Sequence, residues 1–94
     1  MLESAYQKKV IAKWEKAGYY VLKLAKTNKN GIPDLICLKP NEVVFVEVKR
    51  EKGKLSEIQK YRIKELELNG FKVIIDRYEV VHYTSIKKKM RESL

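Results

Sequence analysis

The sequence predicts a small α/β domain with the element order α-β-β-β-α-β, in which helices flank a central mixed sheet. Two segments have the apolar spacing of amphipathic helices, and short runs rich in branched and aromatic residues lie between and after them. Ninety-four residues suffice for one domain with a modest core. We therefore expect a single domain over 1–94, with its core at about 1–76 and a basic C-terminal tail at 77–94.

Each predicted element has its own sequence signal. The first helix covers about 2–17 and is followed by Gly18, a common stop signal. Its apolar face consists of Tyr6, Val10, Trp14 and Ala17. The second helix covers about 55–69, begins at Ser56 and ends before Gly70. Strands are expected at 19–24, 34–38, 43–49 and 71–76.

Charge is the most informative global property. Twenty-one Lys and Arg residues against twelve Asp and Glu residues give a net charge of +9 and a pI near 9.7. This excess favours nucleic acid as a partner, and an acidic membrane surface less strongly, although a lysine-rich solubilising surface would give the same number. The sequence lacks an apolar run of the ~18 residues that a membrane span needs, and it lacks a signal-peptide pattern. A single cysteine, Cys37, fits a reducing interior, so we expect a soluble, cytoplasmic protein.

The central hairpin carries charged residues where apolar ones are expected. If the turn spans residues 39–42, Leu38 pairs with Val43, and counting back along both strands places Asp34 opposite Glu47. Directly opposed residues lie on the same face of a sheet. The hairpin therefore predicts two neighbouring carboxylates at its open end.

Two neighbouring carboxylates repel each other unless something offsets their charge. A hard divalent cation such as Mg²⁺ or Mn²⁺ would do so, because these ions prefer carboxylate and carbonyl oxygen. Lys49 shares the face of Glu47 by the two-residue period and could instead neutralise the pair at a solvated strand end.

Each predicted helix adds one polar residue to its inward face. Glu3 lies on the apolar stripe of the first helix, where a carboxylate is costly without a partner, although it could also respond to the helix dipole. Gln59 lies among Leu55, Ile63 and Leu66 on the second helix, although it could also complete a capping box with Ser56. The joint occurrence of these residues indicates one site.

These residues resemble a known pattern. Pro33-Asp34, followed after twelve residues by Glu47-Val48-Lys49, resembles the signature of PD-(D/E)XK nucleases, and the element order resembles their restriction-endonuclease-like core. With Glu3, Gly31-Ile32-Pro33-Asp34 and Leu55-Ser56-x-x-Gln59 added, the chain resembles the stand-alone VRR-NUC domain found in phages. That domain is similar in turn to archaeal Holliday-junction resolvases. The similarity covers about 1–76 and is in keeping with a phage protein in a bacterial host.

The resemblance implies a metal-dependent endonuclease that hydrolyses DNA phosphodiester bonds, with Mg²⁺ as cofactor and Mn²⁺ as a substitute. The catalytic residues that it implies are Glu3, Asp34, Glu47, Lys49 and Gln59. Asp34, Glu47 and the Val48 carbonyl would bind the metal directly, and Glu3 would bind it through water or hold a second ion. Lys49 would orient the attacking water and stabilise charge on the phosphate. Gln59 would fix Lys49 or the nucleophile.

Basic residues in the loops beside this site are expected to contact DNA phosphates without reading sequence. They are Lys26, Lys29, Arg50, Lys52 and Lys54. A second basic cluster, Lys87, Lys88, Lys89 and Arg91, lies in the tail and either contacts DNA or forms a solvated helix face. We expect branched DNA, above all four-way junctions, as the substrate. The alternative substrates are flap, nicked or plain duplex DNA. The alternative functions are a non-catalytic DNA-binding subunit and a basic structural protein.

The resemblance to junction resolvases implies a C2 homodimer, because symmetric cutting of two strands requires two copies of a single site. Tyr61 and Leu68 project opposite the inward face of the second helix and are candidate interface residues.

Overall fold

The computed structural model describes the backbone of residues 3–78 and the side chains of residues 4–77. Its elements are α1 (Glu3–Lys16), β1 (Tyr20–Lys23), β2 (Leu35–Lys39), β3 (Glu42–Arg50), α2 (Glu57–Leu68) and β4 (Lys72–Tyr78). This confirms the predicted order. The Glu3 side chain and the tail predictions at 79–94, including the basic cluster, lie outside the described residues.

The strands form one mixed sheet in the order β1-β2-β3-β4. β1 and β3 each pair antiparallel with β2, whereas β4 runs parallel to β3 after the chain has crossed through α2. A parallel neighbour needs such a crossover, which is why a helix separates β3 from β4. The C-terminal ends of β3 and β4 consequently lie at the same end of the sheet.

The core lies between α1 and one face of the sheet. Its buried side chains are Val10, Leu35, Cys37, Val44, Val46 and Val48. They alternate along β2 and β3, because successive strand residues point to opposite faces. Tyr6 and Trp14 of α1 pack against this core as predicted. Ala17 is exposed instead, since α1 ends at Lys16 and the chain then turns through Gly18.

The hairpin of β2 and β3 has the predicted register, with Leu38 opposite Val43. The turn is tighter than expected, because Lys39 still pairs with Glu42 and only residues 40–41 form the corner. Asn41 has a φ of 62°, a conformation that short hairpin turns require and that asparagine tolerates. Asp34 was predicted to open the strand, but it lies in a bend directly before β2.

The second face of the sheet carries Phe45, Glu47 and Lys49 of β3, which alternate with the core residues. Helix α2 covers this face only partly, and none of its residues is fully buried. On its outer side Tyr61 is 60% exposed and Leu68 is 79% exposed, as the sequence predicted. Among the described residues, the helices are too short and too polar for one of them to traverse a bilayer.

Candidate active site

The open end of the hairpin brings Asp34 next to Glu47. Asp34 Oδ2 accepts a hydrogen bond from the Val48 backbone N–H at 2.8 Å. β2 begins at Leu35, so Asp34 is the residue just before the strand. Its side chain, in place of a backbone carbonyl, provides the next contact with β3 beyond the Leu35–Val46 pair. Asp34 is thereby fixed against the backbone of β3, between Glu47 and Lys49.

Glu47 is a buried carboxylate that is only partly satisfied. Its side chain is 2% exposed, and its Oε2 accepts a hydrogen bond from Gln59 Nε2 at 3.1 Å. Its Oε1 is buried and has no hydrogen-bond partner among the described residues. Because an unsatisfied buried acceptor is costly, such an atom needs a functional explanation. A cation ligand or a proton would supply the missing partner.

The electrostatics of Glu47 point in the same direction. Burial, and after it the negative charge of neighbouring Asp34, raise the pKa of Glu47 to about 8. The positive charge of Lys49 lowers this pKa, but it does not offset the other two causes. Lys49 therefore reduces the electrostatic cost of the acidic pair without removing it.

The oxygen atoms at this point fit a hard divalent cation. Asp34 and Glu47 lie side by side, and Val48 follows Glu47 in β3. Mg²⁺ is commonly held by one or two carboxylates while keeping several waters. The described side chains contain no group of three or more His, Cys, Asp or Glu around one point. Within that part of the chain, the side-chain ligands available to an ion here are Asp34 and Glu47.

Gln59 connects this pair to helix α2. Its Oε1 accepts a hydrogen bond from the Ser56 backbone N–H at 2.9 Å, and the Ser56 side chain accepts one from the Gln59 N–H at 3.2 Å. These two bonds form the capping box that the sequence left as an alternative. The amide nitrogen of the same side chain reaches Glu47, so the cap and the site share one residue. Its partner in the site is Glu47 and not Lys49.

Lys49 lies two residues beyond Glu47 on the same face of β3 and is half-buried. None of the ion pairs formed within the described part of the chain uses its ammonium group. A half-buried amine that is not committed to a neighbouring acid can donate to a phosphate oxygen.

The predicted basic residues lie on two loops beside this site. The β1–β2 loop carries Lys26 and Lys29, and the loop between β3 and α2 carries Lys52 and Lys54, together with Arg50 at the end of β3. All five side chains are exposed. Because Asp34 ends the first loop and Glu47 lies shortly before the second, the acidic pair is flanked by positive charge on both sides.

Sequence reasoning missed the residues that hold these two loops in place. Arg77, near the end of β4, donates from Nη1 to the carbonyl oxygens of Gly53 (2.6 Å), Arg50 (3.2 Å) and Glu51 (3.4 Å). Arg62 of α2 donates from Nε to the Asn30 carbonyl at 2.9 Å. Both contacts join residues more than twenty positions apart, so a local sequence pattern does not predict them.

Asp76 was also missed. Its carboxylate accepts hydrogen bonds from the Tyr6 hydroxyl and from the Lys13 ammonium group, both at 2.6 Å. Asp76 pairs with Val48 in the sheet, so these bonds tie α1 to β4 directly beside the candidate site. Glu3 lies one helical turn before Tyr6. The bonds of Tyr6 and Lys13 to Asp76 therefore hold in place the part of the α1 backbone that carries Glu3.

The comparison with known proteins agrees with this arrangement. The family model of the VRR-NUC domain matches residues 1–77, a range that contains all the elements described above except the last residue of β4. No curated protein matches the chain at a significant level. The VRR-NUC domain is a nuclease domain with a DNA-processing function, and it is consistent with the PD-(D/E)XK superfamily. The chain, a small mixed-sheet domain with an acidic pair at the open end of its hairpin, thus belongs to the VRR-NUC family.

Proposed function

We propose that this protein is a divalent-metal-dependent DNA endonuclease that hydrolyses phosphodiester bonds at the Asp34–Glu47 pair, with Mg²⁺ as cofactor and Mn²⁺ as a substitute. One observation carries the proposal. Glu47 is 2% exposed, one of its oxygens has no partner among the described residues, and its pKa is raised to about 8 beside a second carboxylate. Such a group is costly as a purely structural feature and is well suited to a cation.

Each residue of the site then has a role that follows from its position. Asp34, Glu47 and the Val48 carbonyl hold the ion, which when bound activates water and stabilises charge on the phosphate. Gln59 holds the Glu47 carboxylate in one orientation through its 3.1 Å hydrogen bond. Lys49 places a positive charge where the phosphate becomes more negative. The basic loops hold the DNA backbone on both sides of the cut.

We further propose branched DNA, with the four-way junction first, as the substrate class. The support is the resemblance to junction resolvases, together with the position of the cations proposed to contact DNA, which lie on two loops and at the end of β3. Flap, nick or duplex cleavage is the alternative, because the same metal chemistry serves all of these substrates. The cytoplasmic setting and the phage origin belong to the same proposal, and the free, buried Cys37 fits the first of them.

A homodimer completes the proposal, because paired cuts need two copies of the site. The outer side of α2 is the surface that best supports it. Tyr61 and Leu68 are exposed there together with Ile58, and a shallow groove of about 510 Å³ runs along Ile58 and Tyr61 between lysine side chains. Exposed aromatic and aliphatic residues of this kind are enriched at interfaces. Sedimentation of the wild type and of Tyr61→Asp and Leu68→Asp variants tests this surface directly.

The activity is tested with a cleavage panel of four-way junction, flap, nicked, duplex and single-stranded DNA in Mg²⁺, in Mn²⁺ and in EDTA. We expect wild-type cleavage only with a metal, and at least a hundredfold loss in Asp34→Asn and in Glu47→Gln with DNA binding retained. Glu67→Gln, an exposed carboxylate of α2, is the matched control and should cleave like the wild type.

The outcomes of this panel separate the alternatives. Paired symmetric cuts in the junction support the junction-resolving dimer. Cuts confined to flap, nicked or duplex DNA retain the nuclease and remove the junction from the proposal. Tight binding without cleavage in either metal would refute the nuclease and favour a non-catalytic DNA-binding subunit.

A further inference from the structure

A polar groove opens directly beside Asp34. It lies along the β1–β2 loop and has a volume of about 530 Å³. Its lining includes Lys26, Thr27, Lys29 and Asn30 as well as Asp34 itself. Since Asp34 is bonded to the β3 backbone next to Glu47, the groove is continuous with the candidate active site.

The loop that forms the groove is held at three points. Its base is closed by a hydrogen bond from the Leu24 N–H to the Asp34 carbonyl at 2.8 Å. Its centre is held by Arg62, which donates to the Asn30 carbonyl. Gly31 packs so closely on α2 that a Cβ atom at this position would lie 2.9 Å from the backbone of Ile58. A groove fixed in this way is preorganised, so a ligand does not have to order the loop.

The chemistry of the lining selects phosphate over a base. Among the described residues, those that line the groove include no aromatic side chain on which a base could stack. Lys26 and Lys29 bring two positive charges, while the single acid of the lining, Asp34, is engaged by the Val48 N–H. The Thr27 hydroxyl is taken by the Lys29 backbone. Lys26 and Lys29 are therefore the cationic donors that this lining offers to an anion.

The sheet order places the two basic loops on opposite sides of the acidic pair. The β1–β2 loop leads into β2, on one side of β3, and β4 lies on the other side. Arg77 of β4 binds the carbonyl groups of residues 50–53, so the second loop lies toward β4. A DNA strand that crosses the site from one loop to the other would have one loop on the 5′ side of Glu47 and the other loop on the 3′ side.

We propose that the groove beside Asp34 binds the phosphodiester next to the one that is cut, and that the loop around Lys52 and Lys54 binds phosphates only on the opposite side. This inference rests on the proposed nuclease function and adds to it a fixed polarity of the bound strand.

The experiment replaces one backbone phosphate at a time by a neutral methylphosphonate, on either side of the cut, in a DNA that the wild-type protein cleaves. Binding and cleavage are measured for the wild type, for Lys26→Gln/Lys29→Gln and for the matched pair Lys52→Gln/Lys54→Gln, which removes the same charge from the other loop. Neutralising the phosphate in the groove should weaken wild-type binding about tenfold, the loss expected for one hydrogen-bonded ion pair.

The polarity predicts how these effects combine. In Lys26→Gln/Lys29→Gln the same neutralisation should cost less than about twofold, because its partner is already gone, whereas in Lys52→Gln/Lys54→Gln it should still cost about tenfold. Positions on the other side of the cut should show the reverse. The inference would be overturned if phosphate neutralisation and Lys26→Gln/Lys29→Gln had additive effects at every phosphate position. It would also be overturned if both lysine pairs were coupled to phosphates on the same side of the cut.

Failure of the proposed function gives a different result. If the wild type cleaves no DNA in either metal, the nuclease is refuted, and the binding series is run instead on the DNA of the panel that binds most tightly, where it still shows whether each lysine pair depends on its own set of consecutive phosphates. If the two lysine pairs depend on different sets of phosphates, the groove is supported as a phosphate site. If they depend on the same set, that inference is overturned.

Discussion

Gln59 donates a hydrogen bond from Nε2 to Oε2 of the buried Glu47 at 3.1 Å, while its Oε1 accepts one from the Ser56 backbone. The second bond determines the orientation of the amide, because only the NH₂ group can then face the carboxylate. The position of a candidate metal ligand is thereby coupled to the N-terminus of α2. Of the two interpretations of Gln59 that the sequence left open, the cap is confirmed, and the hydrogen bond to Glu47 makes the role in the site compatible with it.

Capping and positioning can be separated by two substitutions. Ser56→Ala removes the side chain that accepts the Gln59 N–H and should cost about 1 kcal/mol of stability, with less than twofold change in cleavage rate. Gln59→Ala also weakens the cap, and it leaves Glu47 without its partner, so cleavage should fall about 10- to 100-fold. Chemical denaturation and single-turnover cleavage at saturating metal measure the two effects. Equal cleavage rates in both variants would mean that Gln59 acts only as a cap.

The raised pKa of Glu47 makes the stability of the metal-free protein depend on pH. A glutamate in the unfolded chain titrates near its ordinary value of 4.5, whereas Glu47 in the folded protein titrates near 8. Between these values the folded state binds a proton that the unfolded state has released. The stability that this group contributes is therefore complete below pH 4.5 and is lost as the pH rises to about 8, with a limiting slope of about 1.4 kcal/mol per pH unit.

Urea denaturation in EDTA at several pH values between 5 and 9 measures this dependence. Glu47→Gln is the required comparison, because the amide keeps an acceptor for Gln59 but does not titrate. Its stability should change less with pH than that of the wild type, and the difference between the two curves should level off above about pH 8. Parallel curves for the two proteins would show that Glu47 does not carry the raised pKa.

The fold and the acidic pair could be predicted because both depend on short-range regularities. The two-residue period of β2 and β3 fixes which residues share a face, and a short turn then leaves a single register for the hairpin. Counting from Leu38 and Val43 therefore reaches the end where Asp34 and Glu47 meet. The turn itself was predicted too long, because Asn41 adopts a positive φ that the sequence alone does not reveal.

The residues that support the site could not be predicted in this way. Arg77, Arg62 and Asp76 act through partners on other elements, and the identity of these partners depends on how the helices pack. Asp76 illustrates the reason: a carboxylate in an apolar strand indicates a partner, but only the packing of α1 identifies Tyr6 and Lys13. The sequence signal was a charge in an apolar run, the same signal that led to Glu47.

Arg77 should control DNA binding through the loop that it holds. Arg77→Gln removes the donor shared by the carbonyl groups of Arg50, Glu51 and Gly53, so the loop should loosen and DNA affinity should fall about tenfold. Lys72→Gln is the matched control, since it removes the same charge from the same strand at its other end. Trypsin should cut after Arg50 and Lys52 faster in Arg77→Gln than in Lys72→Gln. Equal loss of affinity in the two variants would attribute the effect to net charge alone.

Gly31 should tolerate a side chain less well than Gly70, although both have a positive φ, of 80° and 87° respectively. An added Cβ at Gly70 meets no atom of the described residues within 4 Å, but at Gly31 it would lie 2.9 Å from the backbone of Ile58. Gly70→Ala should therefore cost about 1 kcal/mol, the strain of the left-handed conformation, and Gly31→Ala about 1–3 kcal/mol more because α2 must move away. Since that movement also shifts Gln59 away from Glu47, Gly31→Ala should lose cleavage activity at temperatures where both variants are folded. Urea denaturation and cleavage rates of the pair measure this, and equal costs would show that the loop does not depend on its contact with α2.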